Sequence, residues 1–389
     1  MPPVKKKVVK EEAPAVSPVE ALKNKLNGML EKSSIKLASE IEGQYLVRRP
    51  FGVPSIDIAF KGGLPAGGHC IFAGEKNSGK SYLAYKCAGE TQQTFGAETK
   101  IALVISEVID KVFMKNAGFK IAFTDKEVTD YCNAYKEVYK KDLEADKVAQ
   151  LKEQVGEILI IRTGSTEEAL QSCVEILKSN QFHLVILDSL GGLESQDEAD
   201  KDIGDKSRAQ LASLLSQYTH KVMSMDYKAT VIFISHVSEV QNPATPYSRK
   251  WRIPGGKAKD HLSLVTLYIS KGEKIKQKID GDDVEVGRYM NILVEKGKCG
   301  IHENIEVSTN FYYGDVTHGI VPGINKYEDL LAEAKYWEVI KGASWYELPN
   351  GEKLQGEKKV GEYFKANPEV YKQIRDECFK CANIVYLLK

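Results

Sequence analysis

The sequence predicts an α/β fold with a mostly parallel central sheet. Three observations carry that reading. Short continuous runs of valine, isoleucine and leucine recur along the middle of the chain, as expected of strands covered on both faces. Helical stretches lie between most of these runs, and β–α alternation implies parallel neighbours. One run, His69–Ala73, leads into Gly74-Glu75-Lys76-Asn77-Ser78-Gly79-Lys80-Ser81. That is a full G-x-x-x-x-G-K-[ST] phosphate loop, standing between a strand and a helix as the motif requires.

Composition agrees. The chain has 389 residues, 42% hydrophobic and 28% charged. These are globular values, and the length suggests roughly two or three domains. Lysine plus arginine and aspartate plus glutamate number 54 each, so the formal net charge is zero. A uniformly basic, histone-like protein is excluded, while a local basic patch is not. No apolar run approaches the length of a membrane span. Met1 to Pro18 carries lysines but lacks the apolar centre of a signal peptide. The seven cysteines are odd in number and scattered, which argues for reduced thiols and a cytoplasmic setting. Cys378 and Cys381 form a C-x-x-C in a helix-like stretch, read as core packing on one helix face rather than as a redox or metal site.

The elements follow in order. Residues 1–18 read as a disordered tail. From Val19 to Ser33, Leu22, Leu26, Met29 and Leu30 fall at helical spacing. Residues 19–45 are therefore an amphipathic helix and a candidate subunit-docking segment. The core, 46–324, contains the strand-like runs His69–Ala73, Ile101–Ser106, Ile158–Arg162, Leu184–Asp188, Thr230–Ser235 and Leu262–Ile269. Met290–Glu295 and Ile305–Tyr312 look like further strands on one edge. Asp125–Gln154 is highly charged and helical, and reads as a surface insertion. From about Asn325 the pattern changes to short helices around Trp337, Trp345 and Tyr346, with a turn at Pro349-Asn350-Gly351. Residues 325–389 are read as a small α+β C-terminal domain.

The candidate site grows from the phosphate loop. Its glycines let backbone amides approach phosphates, and a helix N-terminus favours anions. Lys80 is expected to reach the β- and γ-phosphates, and the Ser81 hydroxyl to ligate Mg²⁺. Gly74 to Ser81, with Tyr82 next in line, form the expected ATP site. The strand His183 to Asp188 ends in a carboxylate placed to orient the Mg²⁺. Hydrolysis also needs a group that positions water. Glu107, at the carboxyl end of the next strand after the loop helix, faces the ligand edge of an open α/β sheet.

In this order the residues resemble the RecA family of homologous recombinases. The resemblance starts at Gly52-Val53-Pro54-Ser55-Ile56-Asp57 and Gly62-Gly63-Leu64-Pro65, then takes in the phosphate loop, Glu107 and Asp188-Ser189-Leu190-Gly191. It continues through Val231-Ile232-Phe233-Ile234-Ser235-His236, Pro254-Gly255-Gly256-Lys257, Glu295-Lys296-Gly297-Lys298 and Gly342-Ala343-Ser344-Trp345-Tyr346. It covers roughly residues 35–385. The sequence after Asp188 and the histidine at position 236 look closer to phage UvsX-type recombinases than to bacterial RecA.

The resemblance implies an ATP-dependent recombinase: a DNA-dependent ATPase that forms a homo-oligomeric helical filament on single-stranded DNA, then pairs it with duplex DNA. It makes His236 a contact for the γ-phosphate. Lys296 and Lys298 match a pair that reaches a neighbouring subunit's ATP, and Tyr313 lies in a segment near the adenine. It also implies two DNA-binding loops. The first, about Glu194–Lys206, is acidic here, leaving Lys206 and Arg208 as useful cations; Ser216 follows on the next helix. The second, about Val237–Pro254, contains Arg249, Lys250, Trp251 and Arg252. Cations there can neutralise phosphates and the indole can stack on bases, while Gly255, Gly256 and Lys257 allow close backbone approach. The stretch between Glu107 and Asp188 is longer than usual for the family. No strongly acidic C-terminal tail is read, since the sequence ends Tyr386-Leu387-Leu388-Lys389. A ring-forming motor of the same fold, and a DNA-coating protein without useful turnover, are the alternatives.

Overall fold

The computed structural model describes residues 17–30, 35–40, 47–190, 208–240, 251–315, 317–384 and 387–388. The chain divides into two units, 1–43 and 44–389. In the first, α1 (Pro18–Met29) starts at Ser17, whose hydroxyl accepts from the Glu20 amide at 3.2 Å. Val19, Leu22 and Met29 are exposed, so within the described residues the apolar stripe lies open.

The second unit opens with β1 (Val47–Arg49), α2 (Pro54–Ala59), β2 (Leu64–Pro65), β3 (Gly68–Gly74) and α3 (Lys80–Phe95). Then come β4 (Lys100–Ile105), α4 (Lys111–Asn116), α5 (Asp125–Tyr139), α6 (Ala145–Lys152), β5 (Glu157–Arg162), α7 (Thr166–Ser179) and β6 (Leu184–Asp188). Next are α8 (Arg208–Val222), β7 (Thr230–His236), β8 (Ser238–Glu239), β9 (Trp251–Arg252), α9 (Ala258–Leu262), β10 (Ser263–Ile279), β11 (Asp282–Lys296) and β12 (Glu306–Tyr312). The last stretch holds α10 (Lys326–Tyr336), β13 (Trp345–Glu347), β14 (Lys353–Gln355), α11 (Glu357–Ala366), α12 (Pro368–Cys381) and β15 (Leu387–Leu388).

The central sheet has eight strands in the order β12-β11-β10-β3-β7-β6-β4-β5. From β10 to β5 every pairing is parallel, and β11 and β12 add an antiparallel edge. Side chains alternate across a strand, so each strand serves two cores. Phe72, Leu103, Ile186, Ile232 and Leu267 pack with Leu83 and Cys87 of α3 on one face. Ile71, Val104, Leu187 and Phe233 pack with Val174 of α7 and Leu215 of α8 on the other.

The strands run longer than the apolar runs suggest on the antiparallel side. β10 and β11 form a hairpin closed by Asp280 (φ 54°) and Gly281 (φ 97°). Two left-handed residues are what a tight two-residue hairpin turn requires. Its outer half, Lys271 to Ile279, is rich in lysine and carries no apolar alternation, because β10 pairs with β3 only as far as Ile269 and beyond that only with β11. The charged stretch 125–154 holds two helices, α5 and α6. Thr124 and Glu127 form a reciprocal cap at the start of α5, and Lys152 reaches Asp125 at 3.0 Å.

Near the C-terminus Leu330, Tyr346, Val360, Phe364 and Ile374 form a third core. Buried Asp329 of α10 accepts from the Ser55 amide at 2.8 Å, the Ser55 hydroxyl at 2.7 Å and the Thr309 hydroxyl at 2.9 Å. These bonds anchor α10 to α2 and β12. Asp57, which closes the Gly52–Asp57 motif, accepts from the amides of Phe51 (2.7 Å) and Gly52 (2.9 Å). Cys378 is buried in the third core but Cys381 is exposed. The expected core packing therefore holds for the first cysteine only, the second being the last residue of α12, where the helix leaves the core.

A buried polar cluster lies on the α8 face of β3. The His69 ring nitrogens are each 2.7 Å from a tyrosine hydroxyl, Nε2 from Tyr218 and Nδ1 from Tyr227. A neutral imidazole offers one donor and one acceptor, so one tyrosine donates and the other accepts. Burial lowers the His69 pKa from 6.5 to about 3. Between these values the unfolded chain binds a proton that the folded chain refuses, so stability falls as pH drops below about 6.5. We expect urea unfolding to show this group costing about 2 kcal/mol between pH 7 and pH 5. A His69→Gln variant should lack that increment; an identical pH dependence in both proteins would overturn the assignment.

Candidate active site

Strand β3 ends at Gly74 and hands the chain to the phosphate loop. Gly74 sits where a Cβ would run into the Ile269 carbonyl oxygen of β10. Gly79 takes φ 97° and ψ 12° at the start of α3, a left-handed geometry that costs glycine little. The Lys80 ammonium donates to the Glu75 carbonyl at 2.6 Å. Burial pulls its pKa below the ordinary lysine range, and the charges of Asp188 and Glu107 oppose that shift.

Asp188 is buried at the end of β6. Burial raises its pKa, against a hydrogen bond from Ser81. The Tyr85 hydroxyl donates to its Oδ2 at 3.4 Å. Ser81 and Tyr85 are four residues apart, so both lie on the face of α3 that looks at Asp188; that spacing was available in the sequence and identifies Tyr85 as a neighbour of the site. The peptide after Asp188 is cis.

Strand β6 lies between β7 and β4. His236 ends β7 and Glu107 follows β4. Their side chains meet over the end of β6, His236 Nε2 and Glu107 Oε1 being 3.9 Å apart. Partial burial lowers the His236 pKa, Lys80 adds to the shift and Glu107 opposes it. His236 also pairs in register with Gly74. Lys80, Ser81, Glu107, Asp188 and His236 thus converge at the carboxyl ends of adjacent parallel strands, where open α/β sheets hold their ligands.

The residues fit a triphosphate with a divalent cation. The Ser78 hydroxyl is buried with no hydrogen-bond partner among the described residues, and such a group is costly unless a ligand satisfies it. Ser81 and Asp188 supply oxygen donors of the kind Mg²⁺ prefers. Glu75, Lys76 and Asn77 are exposed at the rim of the loop. Tyr82 stands elsewhere: it is buried, its hydroxyl accepts from the Ile324 amide at 2.9 Å and its ring meets Phe311 edge-on. Tyr313 is in a cluster at the hairpin, accepting from Arg288 Nε at 2.6 Å and donating to Glu285 at 3.0 Å.

The second loop returns close to the phosphate loop. Ser238 and Glu239 pair antiparallel with Arg252 and Trp251. The Trp251 indole stacks on Tyr268, with centroids 3.8 Å apart and planes inclined by 6°. Tyr268 in turn pairs in register with Ala73, next to Gly74. Arg252 and Lys257 are exposed. Gly255 is buried, where a Cβ would strike Leu215 of α8; Gly256 faces Ala212 of the same helix. Ser216, half-buried, lies on α8. Lys206, Arg249 and Lys250, the first loop and the Arg208 side chain lie outside the described residues.

Lys296 folds back on its own chain, donating to the Asp260 carbonyl and to the Ser263 carbonyl, the latter at 2.6 Å. It lines a cavity of about 330 Å³ with Trp251, Arg252, Lys259, Asp260 and Glu295. Lys298 is exposed in the following turn.

Comparison with known proteins matches residues 138–317 to the family described as the RecA N-terminal domain. Protein RecA of Leptospira biflexa is 27% identical over 331 residues, covering 84% of this chain and 72% of the relative. Protein RecA of Fusobacterium nucleatum is 26% identical over 377 residues, covering 96% of this chain and 84% of the relative. The likeness is to the RecA family. Similarity to RecA proteins along most of its length makes it a RecA-type recombinase and does not favour the ring motor or the coat protein. ATP and DNA binding, recombination and repair are the RecA processes to which it belongs. Among the described residues no helix is long and apolar enough to cross a membrane.

Proposed function

We propose that the chain is a DNA-dependent ATPase that assembles on single-stranded DNA and promotes strand exchange with a homologous duplex. The observation that carries this reading is the meeting of His236 and Glu107 over Asp188, directly where β7 runs on into the second loop. One segment thereby touches both the nucleotide site and the DNA-facing residues.

In this reading the loop amides of 74–81 and Lys80 hold the phosphates of ATP. Ser81 and Asp188 hold Mg²⁺, which when bound draws off charge from the β- and γ-phosphates. Glu107 orients and polarises the attacking water. His236 senses the γ-phosphate through a hydrogen bond, and β8 and β9 pass its position to Trp251. Trp251 and Arg252, with Arg249 and Lys250, engage DNA; Lys206, Arg208, Ser216 and Gly255 to Lys257 are the further residues assigned to DNA contact. Lys296 and Lys298 complete the site of a neighbouring protomer, which requires Lys296 to leave the carbonyls of Asp260 and Ser263. Residues 19–45 dock one protomer on the next, and 325–389 act as a C-terminal domain. Single-strand-binding and mediator proteins are candidate partners.

The test is ATP turnover with and without single-stranded DNA, at two salt concentrations. We expect turnover to rise at least about tenfold with DNA and the stimulation to weaken with salt, because phosphate contacts release counterions. Turnover indifferent to DNA would sink the proposal.

A further inference from the structure

We propose that Lys271 is a second cation of the nucleotide site, supplied by the same chain, which makes the site prefer a nucleoside triphosphate to a diphosphate. The inference rests on the ATP reading above.

The placement follows from strand register. β10 pairs with β3 up to Ile269 opposite Gly74, then continues past the point where β3 becomes loop. Lys271 is two residues further along, and so on the same face as Ile269. That is the face on which α3 packs, since Ile269 and Leu83 share one core. Directly across the hairpin from Lys271 is Met290, and cross-strand partners project to the same side. Met290 is buried against the phosphate loop: a Cβ on Gly79 would strike its Cε. Lys271 is thus the exposed neighbour of a side chain that touches the loop.

Charge supports the same placement. The Lys271 side chain has no hydrogen bond or ion pair among the described residues, as is true of Lys276 and Lys278 further out on the hairpin, whereas the two cations nearest to it are neutralised. Lys274 and Arg288 both meet Glu285, at 2.6 Å and 3.1 Å. The field of Lys271 reaches the Lys80 ammonium and, after burial, is among the influences lowering its pKa. Two like charges facing one loop repel, and an anion between them relieves the repulsion. Lys80 is the residue assigned to the β- and γ-phosphates, so Lys271 converges on that end of the chain. Adding the third phosphate adds negative charge where both cations can use it.

The test is equilibrium binding of fluorescent ADP and of a non-hydrolysable triphosphate analogue to the full chain without DNA. We expect Lys271→Ala to lose about tenfold in triphosphate affinity, as for a charge-assisted contact, with ADP affinity changed by less than about twofold. Lys271→Arg should retain the preference, and unfolding midpoints should match the parent. Unchanged triphosphate affinity in Lys271→Ala would overturn the inference. So would an equal loss for both nucleotides, which reports damage to the loop rather than recognition of the extra phosphate. A parent protein that binds neither nucleotide would instead overturn the ATP reading beneath it.

Discussion

Glu107→Gln lowers DNA-stimulated ATP turnover about 10³-fold, the scale of a lost general base. Triphosphate affinity stays within about twofold, because glutamine keeps the shape and removes only the charge that activates water. The side chain stands 3.9 Å from His236, over the end of β6, so it is placed to act on water above the phosphates rather than to hold them. Single-turnover hydrolysis beside nucleotide binding separates the two effects. Protein–DNA assemblies formed with ATP are expected to persist in the variant, on the proposal that hydrolysis releases the DNA. A variant that turns over normally would remove Glu107 from the chemistry and leave His236 as the nearest alternative.

The second large effect is expected at Gly74. Its backbone φ is not of the left-handed kind, so the demand for glycine is purely one of space. An added methyl group meets the Ile269 carbonyl oxygen, an atom fixed by the β3–β10 ladder. Relief requires moving one strand from the other. Gly74→Ala is therefore expected to cost about 2–3 kcal/mol of stability, the scale of overpacking a rigid site, and to weaken ATP binding more than tenfold, by about 1.4 kcal/mol or more. Gly79→Ala provides a contrast: the obstructing atom there is the flexible end of Met290, and the left-handed backbone is the larger problem. Chemical denaturation of both variants, read with nucleotide titration, checks the ranking. Equal stability for parent and Gly74→Ala would show that the ladder yields.

The parallel sheet was legible because its strands are buried on both faces and spell themselves in apolar residues. The phosphate loop, Asp188 and Glu107 were legible because chain order and strand ends dictate their meeting. The outer hairpin was not, since beyond Ile269 β10 covers no core and its residues follow solvent, although Asp280-Gly281 carried a turn signal. The packing of the Tyr82 ring edge-on against Phe311 was not legible either, because the two residues are far apart in sequence. Trp251 on Tyr268 joins residues brought together only by the fold, and neither has a sequence pattern that names the other. Gly255 is expected to let a phosphate approach, and its close neighbour among the described residues, the Leu215 side chain on α8, had no signal in the sequence.

The alternation of β7 has a consequence for how such a chain can drift. Ile232 and Ile234 belong to the core beneath α3, while Val231 and Phe233 belong to the core beneath α7 and α8. The sheet is a bulkhead, and a change of volume on one side is not relieved from the other. Paired substitutions on opposite sides should add, whereas those within one compartment should couple. Each compartment can therefore be rebuilt separately, one residue in two along the same strand, while the strand ends that hold the chemistry keep their places.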